Sequence, residues 1–303
     1  MINHINIIFD YRNMSIEEYV ARVWKHFASI DKETYGITDP SLPLIYHGDY
    51  NQYQNSVLKI VTAGLNPPSN EFPDNNPSIR FRELEYFYEK ENLNEYDIPE
   101  YLDSLDTYFR RNNNPWFDNF EPVLNGLNAS YYGVMESTVL HTEMLSPLST
   151  VMNWSKYLDT YPANVIDEIV TNGHMLWLEL MNLLQPDIII TSLGAKYRKN
   201  IFNIQNLNWR RIENITTNTN GGERKRPYEV FCSIGTLSCG KKCLLVFGDR
   251  NVLPFMISEE QKISLGNKIF NLMKGIYTQR VNKTENKAPP SPTKPKLNIS
   301  SVA

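Results

Sequence analysis

The chain has 303 residues, 41% of them hydrophobic and 12% aromatic, and a formal net charge of −4. That is enough to bury a full core in one large domain, or in one domain with an insertion, and it excludes a uniformly basic nucleic-acid binder. No run of about 18 apolar residues occurs and the opening MINHINIIFDYRN has no basic start followed by an apolar stretch, so neither a membrane span nor an export signal is expected and a cytoplasmic address is inferred.

Ser15 followed by Glu18 forms a capping-box pattern, and Ile16, Tyr19, Val20, Val23, Trp24 and Phe27 then recur at helical spacing, which predicts an amphipathic first helix. A first strand is expected over 56–64, SVLKIVTAG, closed by the turn LNPPSN, where two prolines prevent its continuation. Residues 83–112 read as an acidic helical stretch broken by Pro99, and 116–127 as a helix ending near Gly126. STVLHTEM, 137–144, reads as a strand. A long helix through VIDEIVTNGHMLWLELMNLL and a buried strand in PDIIITSL come next. Beyond Gly194 come a short helix in AKYRKNIFN, strands near 208–214, 228–234 and 243–248, and a final helix from Ser258 to about Tyr277.

This alternation predicts an α/β fold, a three-layer α/β/α sandwich with a central, mainly parallel sheet. Residues 1–55 are expected to be an N-terminal helical extension packed on the core. Residues 56–280 form the main domain, with an acidic insertion near 83–112, and 281–303 a basic, Pro-rich disordered tail.

Charge is uneven. Residues 71–108 hold eleven acidic residues against Arg80, Arg82 and Lys90, whereas 196–226 hold eight basic residues against Glu213 and Glu223. Both segments suit solvated surfaces, and the second also suits a phosphate backbone. Cys232, Cys239 and Cys243 are odd in number and lack C-x-x-C spacing, so they are read as reduced thiols. The five histidines are dispersed, without H-E-x-x-H, and no metal or cofactor is expected; phosphate-loop, nucleophile-elbow and dinucleotide motifs are missing.

In an open parallel sheet, ligands bind outside the carboxyl ends of the strands. The residues placed there are Asn66 in GLNPP, His141, Thr142 and Glu143 in LHTEM, Gly194 in SLG, and Asp249, Arg250 and Asn251 in FGDRN.

VTAGLNPPSNEFP, PSIRF, VLHTEMLSPLST and LLVFGDRNVLPF, taken in order, resemble the motifs of the uracil-DNA glycosylase superfamily over roughly residues 56–275. The G-x-N-P turn is similar to that of its mismatch-specific and single-strand-selective branches. The resemblance implies a base-flipping, monofunctional glycosylase with DNA as partner. Asn66 would position water, Gly64, Leu65 and Pro68 would shape the base pocket, and Phe81 would stack on the base, unless it packs under a loop. Thr142 or His141 would stand where the family reads the base edge, commonly with Asn, and Glu143 beside them would bind the base too, unless it is a surface or supporting group. Arg80, Lys196, Arg198, Arg250 and Asn251 would meet DNA, and Leu253 would wedge into the duplex.

Three departures from the family pattern bear on the substrate. The recognition Asn is missing, and Asp249 stands where the family has a catalytic His. Pro68 replaces a bulky gate, leaving room for a 5-substituent on a pyrimidine. The implied activity is hydrolysis of the N-glycosidic bond of a damaged, mismatched or modified base, in repair or antiviral defence. A catalytically silent nucleic-acid-binding module, and an enzyme acting on free nucleosides, are the alternatives.

Overall fold

The computed structural model describes residues 14–72, 82–111, 114–133, 135–194, 208–248 and 252–285. The strands among them are β1 (Ile60–Gly64), β2 (Ala129–Ser130), β3 (Ser137–Glu143), β4 (Ile188–Thr191), β5 (Arg210–Thr217), β6 (Glu223–Thr236) and β7 (Lys242–Gly248). They form one sheet in the order β2-β3-β1-β4-β7-β6-β5. The first five in that order run parallel, and β6 and β5 complete one edge antiparallel.

β1, β3 and β4 are buried at every position, as strands covered on both faces must be. One covering layer contains α1 (Ile16–Ala28) and α8 (Ala163–Leu184), joined where Tyr19 OH donates to the Leu176 carbonyl at 3.0 Å. The other contains α5 (Pro115–Asp118), α6 (Glu121–Asn125) and α9 (Glu259–Glu285). The expected α/β architecture is therefore observed. α6 and α9 touch through glycines: a Cβ on Gly126 would lie 2.3 Å from the Ile263 carbonyl oxygen, and one on Gly266 2.1 Å from that of Val123. The capping box of Ser15 and Glu18 forms as expected.

Several boundaries differ from the sequence reading. β1 starts at Ile60 rather than Ser56, because Ser56 caps α2 (Tyr50–Asn55) and the next backbone amides bind side chains: Leu58 N donates to Ser137 Oγ and Lys59 N to Asp187 Oδ2. Pro99 does not break a helix. It lies in the first turn of α3 (Asp97–Asp106), where its missing N–H has no intrahelical acceptor to lose. The helix expected over 116–127 is two short ones, because Pro122 cannot donate back to residue 118. α4 (Tyr108–Arg111) and α7 (Trp154–Thr160) fill the loops before α5 and before α8. α9 continues past Tyr277 to Glu285; the helix expected at 195–203 and residues 286–303 of the tail lie outside the described residues.

The segment before β1 is built into the sheet. His47 N donates to the His141 carbonyl and His141 N to that of His47, at 2.9 and 3.0 Å, extending β3 by one bridge. The acidic stretch packs on the first helix, with Tyr101 of α3 edge-on to Trp24 at 5.6 Å between ring centroids. Among the described residues no helix is long and apolar enough to cross a membrane.

Candidate active site

The chain runs from β1 out to β2 at the sheet edge, back to β3 beside β1, and then crosses to β4 on β1's other side, so β1 and β4 border a topological switch point. Crevices form at such points because the connections on either side leave in opposite directions. A cavity of about 530 Å³ opens there, in the range of small-molecule sites. Gly64, Leu65, Asn66 and Pro68 line it from the end of β1, His141 and Glu143 from β3, Ser192 from β4, and Val252 and Phe255 from the segment after β7.

The turn after β1 is fixed by its neighbour. Met144 N donates to the Gly64 carbonyl and Leu145 N to that of Leu65, at 3.0 and 2.9 Å. Asn66 Nδ2 donates to the Pro67 carbonyl and to Thr150 Oγ1, each at 3.2 Å. With its nitrogen so held, Asn66, which lines the cavity, keeps Oδ1 as its acceptor.

Strand alternation divides the three residues expected from β3. His141 and Glu143 face the cavity, whereas Thr142 does not line it. Thr142 points into the opposite layer, where Trp177 Nε1 donates to its Oγ1 at 3.0 Å and the hydroxyl meets the Thr62 carbonyl. Expecting all three in the pocket overlooked the two-residue period.

His141 and Glu143 form a buried pair, with Nε2 3.1 Å from Oε1 and side chains 2% and 5% exposed. On the other side of the ring, Nδ1 lies 2.9 Å from Thr62 Oγ1, itself 2.7 Å from Tyr131 OH. Burial lowers the His141 pKa to about 3 and raises that of Glu143 well above the usual carboxylate value. Both groups therefore favour their neutral forms. Glu143 Oε2 is buried and, among the described residues, has no hydrogen-bond partner. It faces Gly64, on which a Cβ would lie 2.5 Å away, so the carboxyl occupies space left by that glycine.

The wall opposite β1 is aromatic. Trp116 and Phe117 line the cavity, their ring centroids 4.8 and 5.0 Å from that of His141, and Phe255 stands 6.3 Å from Trp116. Asn114 caps α5 by accepting from Trp116 N. Its Nδ2 donates to Glu71 Oε1 at 3.1 Å, and Tyr108 OH meets the same buried carboxylate. The indole is thus carried on a helix start anchored to the turn after β1.

Leu253 is 1% exposed and belongs to the core, with its carbonyl accepting from Ser192 Oγ at 2.7 Å. This corrects its expected role, since a side chain packed inside the fold presents no wedge to a duplex. Gly194 does not line the cavity; Ser192 represents β4 there. Phe81, Arg80, Lys196, Arg198, Asp249, Arg250 and Asn251 lie outside the described residues.

Within the basic segment, Arg211 pairs with Glu229 at 2.6 Å and Lys268 of α9 pairs with Glu213. Arg224 donates to the carbonyls of Thr217 and Met256, fastening the β5–β6 hairpin to the loop beside the cavity. Lys225 and Arg226 continue that edge.

His47, Glu71, Asn114, Trp116, Phe117 and Phe255 carry no sequence signal of a site. The apolar run around Trp116 signals packing, and nothing local separates a core ring from a cavity wall. Compared with protein-family models, with curated proteins and with solved structures, the chain finds no match.

Proposed function

We propose that the chain is a monofunctional DNA glycosylase, taking a flipped base into the cavity beside Asn66 and hydrolysing its N-glycosidic bond. One observation carries the reading: a cavity at the switch point combines aromatic walls, an anchored amide acceptor and a buried titratable pair. The ordered motifs resembling the uracil-DNA glycosylase superfamily point to the same chemistry.

Trp116, Phe117 and Phe255 suit the flat faces of a base, for which stacking contributes about 1–3 kcal/mol. Asn66 Oδ1 accepts a hydrogen bond from water but takes up no proton at neutral pH, so it orients the nucleophile without ionising it. The reaction is accordingly dissociative. The sugar develops oxocarbenium character, the electron pair of the breaking bond goes to the base, and water adds to the sugar carbon. The exposed cations Lys225 and Arg226 of β6 suit the DNA backbone. A cytoplasmic role in repair or antiviral defence belongs to the same proposal.

The test is incubation with DNAs carrying uracil, a G·T mismatch, hypoxanthine or hypermodified cytosines, followed by alkaline cleavage of abasic sites. Strand scission with the wild type that drops about 100-fold in Asn66→Ala supports the reading. Intact DNA in every case, with binding retained, supports a silent nucleic-acid-binding module instead. Binding that ignores salt favours a free-nucleoside enzyme.

A further inference from the structure

We propose that Glu143 reads the amidine edge of the flipped base, a ring nitrogen beside an exocyclic amino group as in cytosine and its 5-substituted forms, and hands its proton to that ring nitrogen. The assignment rests on the glycosylase reading and names the substrate class of that site.

Two observations of geometry carry it. Glu143 lines the cavity while more than nine-tenths buried, and among the described residues its Oε2 has no hydrogen-bond partner. A buried carboxyl oxygen left unpaired forgoes its solvation, a cost that a ligand supplying the missing partner recovers. Second, Oε1 is held by His141, and the His141 ring is held in turn by Thr62, so the carboxyl has a fixed orientation.

A carboxylic acid offers one donor and one acceptor, and pairs with either an amidine or an imide edge. The two edges part once the proton moves. The carboxylate is an acceptor only. Against a protonated amidine edge it faces two donors, the ring N–H and the amino group. An imide edge could take the proton only on a carbonyl oxygen, which is far less basic than an amidine ring nitrogen, so against that edge the proton stays on the carboxyl. The amidine edge alone takes the proton and then presents two donors to a carboxylate, and interactions that strengthen in this way accelerate the reaction.

The step balances. The bond from the sugar carbon to the base nitrogen breaks with its electron pair passing to the base, and the Glu143 proton moves to the ring nitrogen of the amidine, so the base leaves neutral. Water held by Asn66 adds to the sugar carbon and releases one proton, and Glu143 regains one from solvent. Burial favours the protonated carboxyl, the form that can donate.

The experiment uses the full chain with end-labelled single-stranded DNA carrying the four ordinary bases, 5-hydroxymethylcytosine, uracil and hypoxanthine at known positions, and in parallel measures binding of free cytosine and free uracil. Excision confined to amino-bearing bases, with single-turnover rates falling about 100-fold or more in Glu143→Gln, is expected. Glutamine keeps a donor and an acceptor, so cytosine binding survives in that variant and is lost in Glu143→Leu. Preferential excision of uracil, thymine or hypoxanthine overturns the assignment, as does a Glu143→Gln variant that cuts at the wild-type rate. Absence of excision with cytosine bound in preference to uracil removes the glycosylase reading and leaves the edge assignment standing. Equal or undetectable binding of the two free bases overturns the assignment itself.

Discussion

Gly64 and Glu143 share one space: a methyl group on the glycine would lie 2.5 Å from Glu143 Oε2 and 3.2 Å from His141 Nε2. Gly64→Ala is therefore expected to displace the carboxyl and break its contact with His141. The cost of such overpacking is about 1–3 kcal/mol. The variant should fold with a lowered melting temperature and lose most of the base excision proposed for the chain. A variant with full activity would show that the position of the carboxyl is immaterial.

Trp116→Ala removes a ring that lines the cavity and contacts His141 edge-on. If the proposed base stacking holds, affinity for single-stranded DNA weakens by about 1–3 kcal/mol, the range for one stacked base. Titration followed by fluorescence anisotropy measures it. Unchanged affinity would assign Trp116 to packing alone.

Leu253→Ala tests the corrected role of that residue. Because the side chain is buried in the core, truncation should cost about 2–5 kcal/mol of stability in a urea melt. A wedge residue would show the reverse pattern, with lower DNA affinity and an unchanged melt.

The buried pair sets opposed pH slopes. His141, held near a pKa of about 3, stays neutral while the unfolded chain takes up a proton below about 6.5, so its contribution to stability declines as pH falls through that window. His47, also depressed by burial, acts in the same direction. Glu143 is raised, so between the unfolded carboxylate value and its folded one the native state holds a proton that the unfolded chain releases, and stability declines as pH rises. Thermal melts from about pH 5 to about pH 9 should show Glu143→Gln gaining on the wild type toward the alkaline end. Parallel curves would mean that the carboxyl ionises freely in the fold.

The ends of β1, β3 and β4 are legible because each strand is an apolar run closed by a turn or by polar residues, and the sheet brings the residues at those strand ends to one edge. Asn66, His141 and Glu143 are found that way. Thr142 is misread although the signal is present, since adjacent strand residues cannot share a face. His47 and Trp116 have no such signal. His47 arrives through a backbone bridge to His141 from an irregular segment, and Trp116 through a cap tied to Glu71, so their positions depend on tertiary paths. Leu253 and the cavity-lining Phe255 differ in burial by loop geometry alone, which composition does not encode.

β1 finds its two neighbours far along the chain, pairing Ile60 with Val139 on one side and with Ile188 on the other. Contacts of such sequence separation form slowly, because chain closure precedes any gain from pairing. The cavity exists only once β3, β1, β4 and the segment after β7 stand side by side, so it is a late product of folding. A base analogue bound there should slow unfolding and leave the refolding rate unchanged, since the folding transition state has no pocket to offer it.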